Sequence, residues 1–251
     1  MVSPMAGIII GNDEIECSLV LFDLDGTLVD KDMRSTSLAR ARYSAIERLA
    51  GLEAANLWAR FSGVETGSFT VNHLGPLSKA PRGEDITVAA TAIWLNQLDW
   101  FEARELAREA YSEADRQQST LYRPNLIPGV PDLLKEMKQE GLLLGIATNG
   151  SGVTAREIMA ALDADLFDVY VGADDVTEGK PSPDMIYEAC RRLGVQPGNT
   201  VYVGDEQADA AAGSAAGVRA IVLVGGDPVS SEYSFLRLES AANIRVKNLN
   251  P

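Results

Sequence analysis

Asp23 and Asp25 sit two residues apart at the end of an apolar run, Ser18-Leu19-Val20-Leu21-Phe22. Along an extended chain, residues i and i+2 project to the same side, so these two carboxylates would stand together. Two anions that close repel each other, and a bound cation or a shared proton relieves the repulsion. A hard cation with oxygen ligands would satisfy them. Taken alone, Asp25-Gly26 also reads as a turn dipeptide. Two further apolar runs end in polar groups: Leu142 to Ala147 runs into Thr148-Asn149, and Thr200 to Gly204 runs into Asp205. In an open parallel sheet, ligands bind beyond the carboxyl ends of the strands. The convergence of three polar strand ends on that edge carries more weight than any one residue.

The surrounding pattern supplies such a sheet. Ser18 to Phe22 is a continuous apolar run with no alternation, as a buried parallel strand requires. After Pro124, helical and strand patterns alternate. Helices are predicted over Val130–Glu140, Thr154–Leu162, Pro183–Leu193 and Ala208–Ala216, with Ser182 as an N-cap, Pro183 at the first helical position and Gly217 as a stop. Strands are predicted over Leu142–Ala147, Val169–Gly172, Thr200–Gly204 and Arg219–Val224. Upstream, Ile8–Ile10 and Ile15–Cys17 flank Gly11-Asn12-Asp13-Glu14 and predict a small hairpin at the sheet edge. Between Asp32 and Arg123 only helical spacing is evident, over Arg40–Leu52, Ala54–Phe61, Ile86–Leu98 and Phe101–Ala114, with a Gly-, Pro- and Ser-bearing loop from Gly63 to Gly83. The fold class is therefore α/β, a Rossmann-like parallel sheet core flanked by helices, with an inserted all-helical domain. The core is expected from residues 1–31 and 124–251, and the helical domain from 32–123.

Asp23-Leu24-Asp25-Gly26-Thr27 resembles the first motif of the haloacid dehalogenase superfamily. The other three motifs follow in order as Thr148, Lys180-Pro181, and Gly204-Asp205 with Asp209 beyond it. The resemblance spans the whole α/β part of the chain and implies a phosphatase-branch enzyme with a helical cap inserted after the first motif. It implies that Asp23 attacks phosphorus to form an aspartyl phosphate. Asp25 would protonate the leaving alcohol and then activate water; the dehalogenase branch lacks an acid at that place. Thr148 would bind a phosphoryl oxygen, and Asn149 would help orient the substrate. Lys180 would neutralise charge on Asp23 and on the phosphoryl group. Mg2+ would be held by Asp23, Asp205 and the backbone carbonyl of Asp25, with Asp209 orienting metal-bound water or Lys180 from behind. Glu206 stands where many relatives carry a small polar residue. Asp174 and Asp175, at another strand end, are candidates to join the acidic cluster.

The reading is therefore a Mg2+-dependent phosphohydrolase acting on a small phosphorylated metabolite. A sugar-phosphate mutase and a non-catalytic binding protein on the same fold are the alternatives. Specificity would lie in the cap, where His73, Lys79 and Arg82 are candidate contacts for an anionic substrate group. Lys79 is also the one lysine placed to serve phosphonate cleavage. Trp58, Trp94 and Trp100 are expected in the cap's core or in its packing. A formal charge of −14 over 251 residues disfavours nucleic acid and anionic membrane as partners. No apolar run reaches the roughly 20 residues of a membrane span, and the first residues lack a basic leader, so a cytoplasmic location is expected. A monomer or homodimer is expected. Cys17 and Cys190 read as reduced, structural thiols. His73 is the sole histidine. No zinc cluster, serine-histidine triad or dinucleotide-type glycine fingerprint is present.

Overall fold

The computed structural model describes residues 6–80, 82–96, 98–121, 125–226 and 228–247. The chain divides into two compact units, Met1–Asp30 with Asn125–Pro251, and Lys31–Pro124. The expected second boundary, between Arg123 and Pro124, lies outside the described residues. The first unit opens with β1 (Gly7–Ile10), β2 (Asp13–Glu16) and β3 (Leu19–Phe22).

The second unit is helical: α1 (Lys31–Ala50), α2 (Leu52–Ser62), α3 (Pro76–Lys79), α4 (Arg82–Trp94) and α5 (Trp100–Leu121). The helix expected through Leu52 ends instead at Ala50, and Gly51, with a φ of 91° open to glycine, separates α1 from α2. The segment expected as loop holds α3, and α4 begins earlier than its apolar spacing suggested, because Arg82, Gly83, Glu84 and Asp85 carry no apolar signal. The unit's core is lined by small residues, among them Ala54, Ala59, Ala89, Ala107 and Ala110, which let the helices approach closely around Trp58 and Ile93. Of the three tryptophans, Trp58 is fully buried and Trp100 is partly buried against that core, while Trp94 lies outside the core and is 47% exposed.

A buried polar network ties four of these helices together. Arg42 of α1 pairs with Asp85 of α4, and the Tyr111 hydroxyl of α5 donates to Asp85 Oδ1 at 2.9 Å. Trp58 Nε1 of α2 donates to the Tyr111 hydroxyl at 3.1 Å, and the Arg42 guanidinium lies 4.2 Å from the centre of the Tyr111 ring. Burial drives the Asp85 carboxyl above its ordinary range, and Arg42 and Tyr111 pull it back.

The remaining elements complete the first unit: α6 (Val130–Gln139), β4 (Leu143–Thr148), α7 (Gly152–Ala161), β5 (Val169–Gly172), α8 (Asp184–Leu193), β6 (Thr200–Gly204), α9 (Gln207–Ala216), β7 (Ala220–Val224), β8 (Leu236–Leu238) and β9 (Arg245–Val246). Six strands form a parallel sheet in the order β5-β4-β3-β6-β7-β8. Alternate residues of β3 face opposite layers. Val20 and Phe22 pack with α6 and α7, and Leu19 and Leu21 pack with α8 and α9. The hairpin forms as expected but not at the edge of this sheet. It joins β9 in a separate three-stranded sheet, β2-β1-β9, because β1 pairs with Ile15 on one side and with Arg245–Val246 on the other. Helix α8 starts at Asp184 with Pro183 at its cap position, and the Ser182 hydroxyl donates to Asp184 Oδ1 at 2.9 Å instead of capping backbone. Both cysteines are free and buried, and burial pushes the Cys17 thiol up to about 12.

The Arg42–Asp85 pair yields a stability test. Removing one partner leaves a charge buried without its counter-ion, so Asp85→Ala should lower the unfolding free energy by about 3–5 kcal/mol. Urea unfolding followed by tryptophan fluorescence would report it, since Trp58 belongs to the same network.

Candidate active site

The sheet order places the site. From β3 the chain builds outward through β4 and β5, then returns to add β6, β7 and β8 on the other side. The order reverses beside β3, and such a switch point opens a crevice at the carboxyl edge. Asp23 follows β3 there, Thr148 ends β4, and Asp205 follows β6. Register keeps the three ends within one residue of one another, since Phe22 pairs with Ile146 on one side and Val203 on the other.

Lys180 reaches this edge from the segment before α8. Its Nζ lies 2.6 Å from Asp23 Oδ1 and 2.7 Å from Asp209 Oδ1, and all three side chains are buried. Burial alone would push the lysine pKa down, but Asp209 and Asp23 reverse that and hold it well above its ordinary value. Asp23 moves up as well. Burial raises it most, Lys180 offsets part of this, and Asp209, Asp205 and Asp25 raise it again.

Asp209 lies in the first turn of α9, where the helix dipole favours an acid. Its Oδ2 accepts the backbone N–H groups of Asp205 at 3.1 Å and Glu206 at 3.0 Å. Its Oδ1 takes Lys180 and faces the Tyr202 hydroxyl at 3.2 Å. A carboxylate offers about four lone-pair positions, so these partners occupy Asp209 and its work is to fix the others. The approach is close enough that a Cβ on Gly204 would come within 2.3 Å of Asp209 Cγ. Only glycine lets the end of β6 pass the carboxylate.

Oxygen atoms of Asp23, Asp205 and Asp209 lie within 4.8 Å of one another, all buried. Lys180 bonds two of these carboxylates, Asp23 and Asp209. A buried, oxygen-only set of three carboxylates fits a hard divalent cation. With Asp209 occupied, Asp23 and Asp205 are the carboxylates suited to hold it. Asp25 is half-buried in the turn after β3 and acts on Asp23 through its charge. The Thr148 side chain is buried, and its hydroxyl oxygen accepts Gly150 N–H at 3.1 Å, which leaves its proton to be donated elsewhere.

Other expected residues have different surroundings. Asp174 and Asp175 stand apart from the carboxylate cluster and secure neighbouring backbone. Asp174 accepts Ser151 Oγ at 2.8 Å and Gly152 N–H at 3.0 Å, which hold it below the usual carboxylate range against the upward push of its burial. Asp175 accepts Gly172 N–H at 2.9 Å and pairs with Arg192 at 2.7 Å. Asn149 engages the Lys180 backbone through both ends of its side-chain amide. Glu206 begins the turn into α9, and its backbone N–H serves Asp209. His73, Lys79 and Arg82 lie in the helical unit, where Arg82 pairs with Asp115. Tyr202 was not evident from the sequence. Its ring lies in an apolar strand, and only the isolated hydroxyl in Thr200-Val201-Tyr202-Val203 hinted at a buried polar contact.

An α/β core with this constellation at its switch point defines a hydrolase class, and the comparisons agree. The family model for haloacid dehalogenase-like hydrolases matches residues 17–217, and the chain belongs to that family. Among curated relatives, the phosphoglycolate phosphatase of Shigella dysenteriae serotype 1 (strain Sd197) is 30% identical over 224 residues, covering 82% of this chain and 81% of its own. Phosphoglycolate phosphatase 1 of Pseudomonas aeruginosa PAO1 is 29% identical over 239 residues, covering 90% and 78%. A crystal structure described as a predicted phosphoglycolate phosphatase from Haemophilus somnus 129PT superposes with a TM-score of 0.65 at 23% identity, covering 90% of this chain and 96% of that one. The chain's place in the family is thus among phosphatases, enzymes that hydrolyse phosphoric monoesters. Among the described residues, no helix is long and apolar enough to cross a membrane.

The close approach at Gly204 is testable. Gly204→Ala should destabilise the protein by about 1–3 kcal/mol through overpacking against Asp209. Gly198→Ala, whose added carbon meets nothing within 4 Å, should stay within about 0.5 kcal/mol of the parent. Paired urea titrations of the two variants would read the difference.

Proposed function

We propose that the protein is a Mg2+-dependent phosphohydrolase that acts on a small phosphate monoester through an aspartyl-phosphate intermediate. The observation that carries this is the buried triad of Asp23, Lys180 and Asp209 at the switch point, with Asp25 two residues beyond Asp23. A carboxylate held against an ammonium in a water-poor crevice is set up to attack an electrophile whose other oxygens are also anionic.

In the first step, an Asp23 oxygen bonds to phosphorus while the bond from phosphorus to the leaving oxygen breaks. The Asp25 carboxyl gives its proton to that oxygen, releasing a neutral alcohol. In the second step, Asp25, now a carboxylate, takes a proton from water as the water oxygen attacks phosphorus. The bond between Asp23 and phosphorus breaks, giving orthophosphate and restoring both carboxyl groups. Lys180 balances the charge on Asp23 and the phosphoryl oxygens throughout, and the Thr148 proton is donated to one of those oxygens. Asp23, Asp205 and the Asp25 carbonyl would hold Mg2+, which when bound supplies further positive charge at the phosphoryl oxygens.

The core's groups act on the phosphoryl end alone, so we assign the choice of ester to the helical unit, residues 32–123, acting as a cap domain. Phosphoglycolate is the first ester to test, because relatives spanning most of this chain carry that activity in their names. Phosphate release should depend on Mg2+, vanish with chelator, and fall about a thousandfold or more in Asp23→Asn. A folded protein that releases no phosphate from any ester with Mg2+ present would sink the hydrolase reading. Activity that appeared only with an added sugar bisphosphate would point to phosphoryl transfer instead.

Metal binding has its own readout. Mg2+ at one hundred times its dissociation constant should stabilise the fold by about 2.7 kcal/mol. Scanning calorimetry would register this as a higher melting temperature, abolished by chelator and by Asp205→Ala.

A further inference from the structure

Lysine is a flexible four-carbon stem with a mobile head. Yet Lys180 must keep its Nζ within hydrogen-bond reach of two carboxylates at once, one on the segment after β3 and one on α9. Its side chain alone does not impose that position. The peptide that carries it must be held as well, and the segment from Gly179 to Pro183 lies outside any strand or helix.

Asn149 holds it. Its Oδ1 accepts the Lys180 N–H at 2.8 Å, and its Nδ2 donates to the Lys180 carbonyl at 3.1 Å. The side-chain amide thus pairs with the N–H and C=O of one residue, the way a neighbouring strand would. The fit is close on the lysine side, since a Cβ on Gly179 would come within 2.7 Å of Asn149 Oδ1. Asn149 directly follows Thr148, the last residue of β4. One residue therefore joins the strand end that carries the Thr148 hydroxyl to the segment that carries the lysine.

We infer that Asn149 is a positioning residue that acts through Lys180 and not on the substrate. This rests on the functional reading above for the lysine's role, but the hydrogen-bonded clamp does not depend on it. Loss of the clamp leaves the ammonium free to leave its place between Asp23 and Asp209. Misplacement of a charged group by about 1 Å can cost on the order of a hundredfold in rate.

The test is a double-mutant cycle on Asn149→Ala and Lys180→Ala, with Asn149→Asp as a near-isosteric third variant and thermal melts to confirm folding. Asn149→Ala should lower kcat about tenfold to a hundredfold, and raise KM and weaken orthophosphate binding only about twofold to threefold. In the Lys180→Ala background the same change should have almost no further effect, because the two residues act as one unit. Asn149→Asp keeps the acceptor for the Lys180 N–H but turns an oxygen toward the Lys180 carbonyl, so it should recover little of the lost rate. A rise in KM at constant kcat, or a penalty that persists in full without the lysine, would overturn the inference. Binding of orthophosphate by calorimetry in Mg2+ repeats the cycle without turnover. If the parent hydrolyses no ester but the binding cycle is still non-additive, the hydrolase reading falls and the clamp stands. If the binding cycle is additive, the clamp falls whatever the activity.

Discussion

A lysine ammonium shared by two buried carboxylates is the interaction on which the rest of the core is organised. Taking a charge out of water is costly, and one poorly placed partner would leave several kcal/mol uncompensated. The molecule meets that demand from three directions. The central strand delivers Asp23, the first turn of α9 delivers Asp209, and Asn149 anchors the backbone of Lys180. The glycines at 179 and 204 are consequences of the same demand, because both stand where a neighbouring side chain needs the space of a Cβ. Asp209 is the most constrained member. Its oxygens are occupied by two backbone N–H groups, the lysine and the Tyr202 hydroxyl, so the carboxylate has one available orientation.

The same crowding explains why the cluster attracts a cation. Buried acids crowded together are in an unfavourable state that either protons or metal can relieve. At Asp23 the first contribution is burial, and the neighbouring acids add to it. The fold holds these groups together regardless, which is the usual signature of a site kept for chemistry and not for stability.

Much of this was legible in the sequence because strands and their polar ends are local. Val169–Gly172 and Thr200–Gly204 were delimited as observed, and Asp23, Thr148, Lys180, Asp205 and Asp209 all lie in the core unit. What escaped was set by distant partners. Strands β8 and β9 are three and two residues long, too short for a periodic pattern, and exist because β7 and β1 offer them an edge. The hairpin's place was misread for the same reason, since its second partner lies at Arg245–Val246. Ser182 and Pro183 matched a capping pattern, but the serine hydroxyl found Asp184 instead. Asp174 and Asp175 looked like further members of the cluster because sequence reports strand ends but not which neighbour a carboxylate turns to. Trp94 has the type of a core residue, yet at the last turn of α4 about half of it is exposed.

The order of the strands has a consequence for how the molecule is made. Strand β3 is the middle of the sheet, but Leu19 pairs with Leu143 on one side and Thr200 on the other. A ribosome releases β3 first, then the whole helical unit, and only afterwards the two strands that cover its edges. During that interval a fully apolar strand has both hydrogen-bonding edges exposed, a state prone to pairing with other nascent chains. The helical unit has its own core and can fold in the meantime, so the vulnerable period belongs to the strand that carries the reactive aspartate. The expected folding bottleneck is thus the closing of long chain loops around β3, a slow step because those contacts are so distant in sequence.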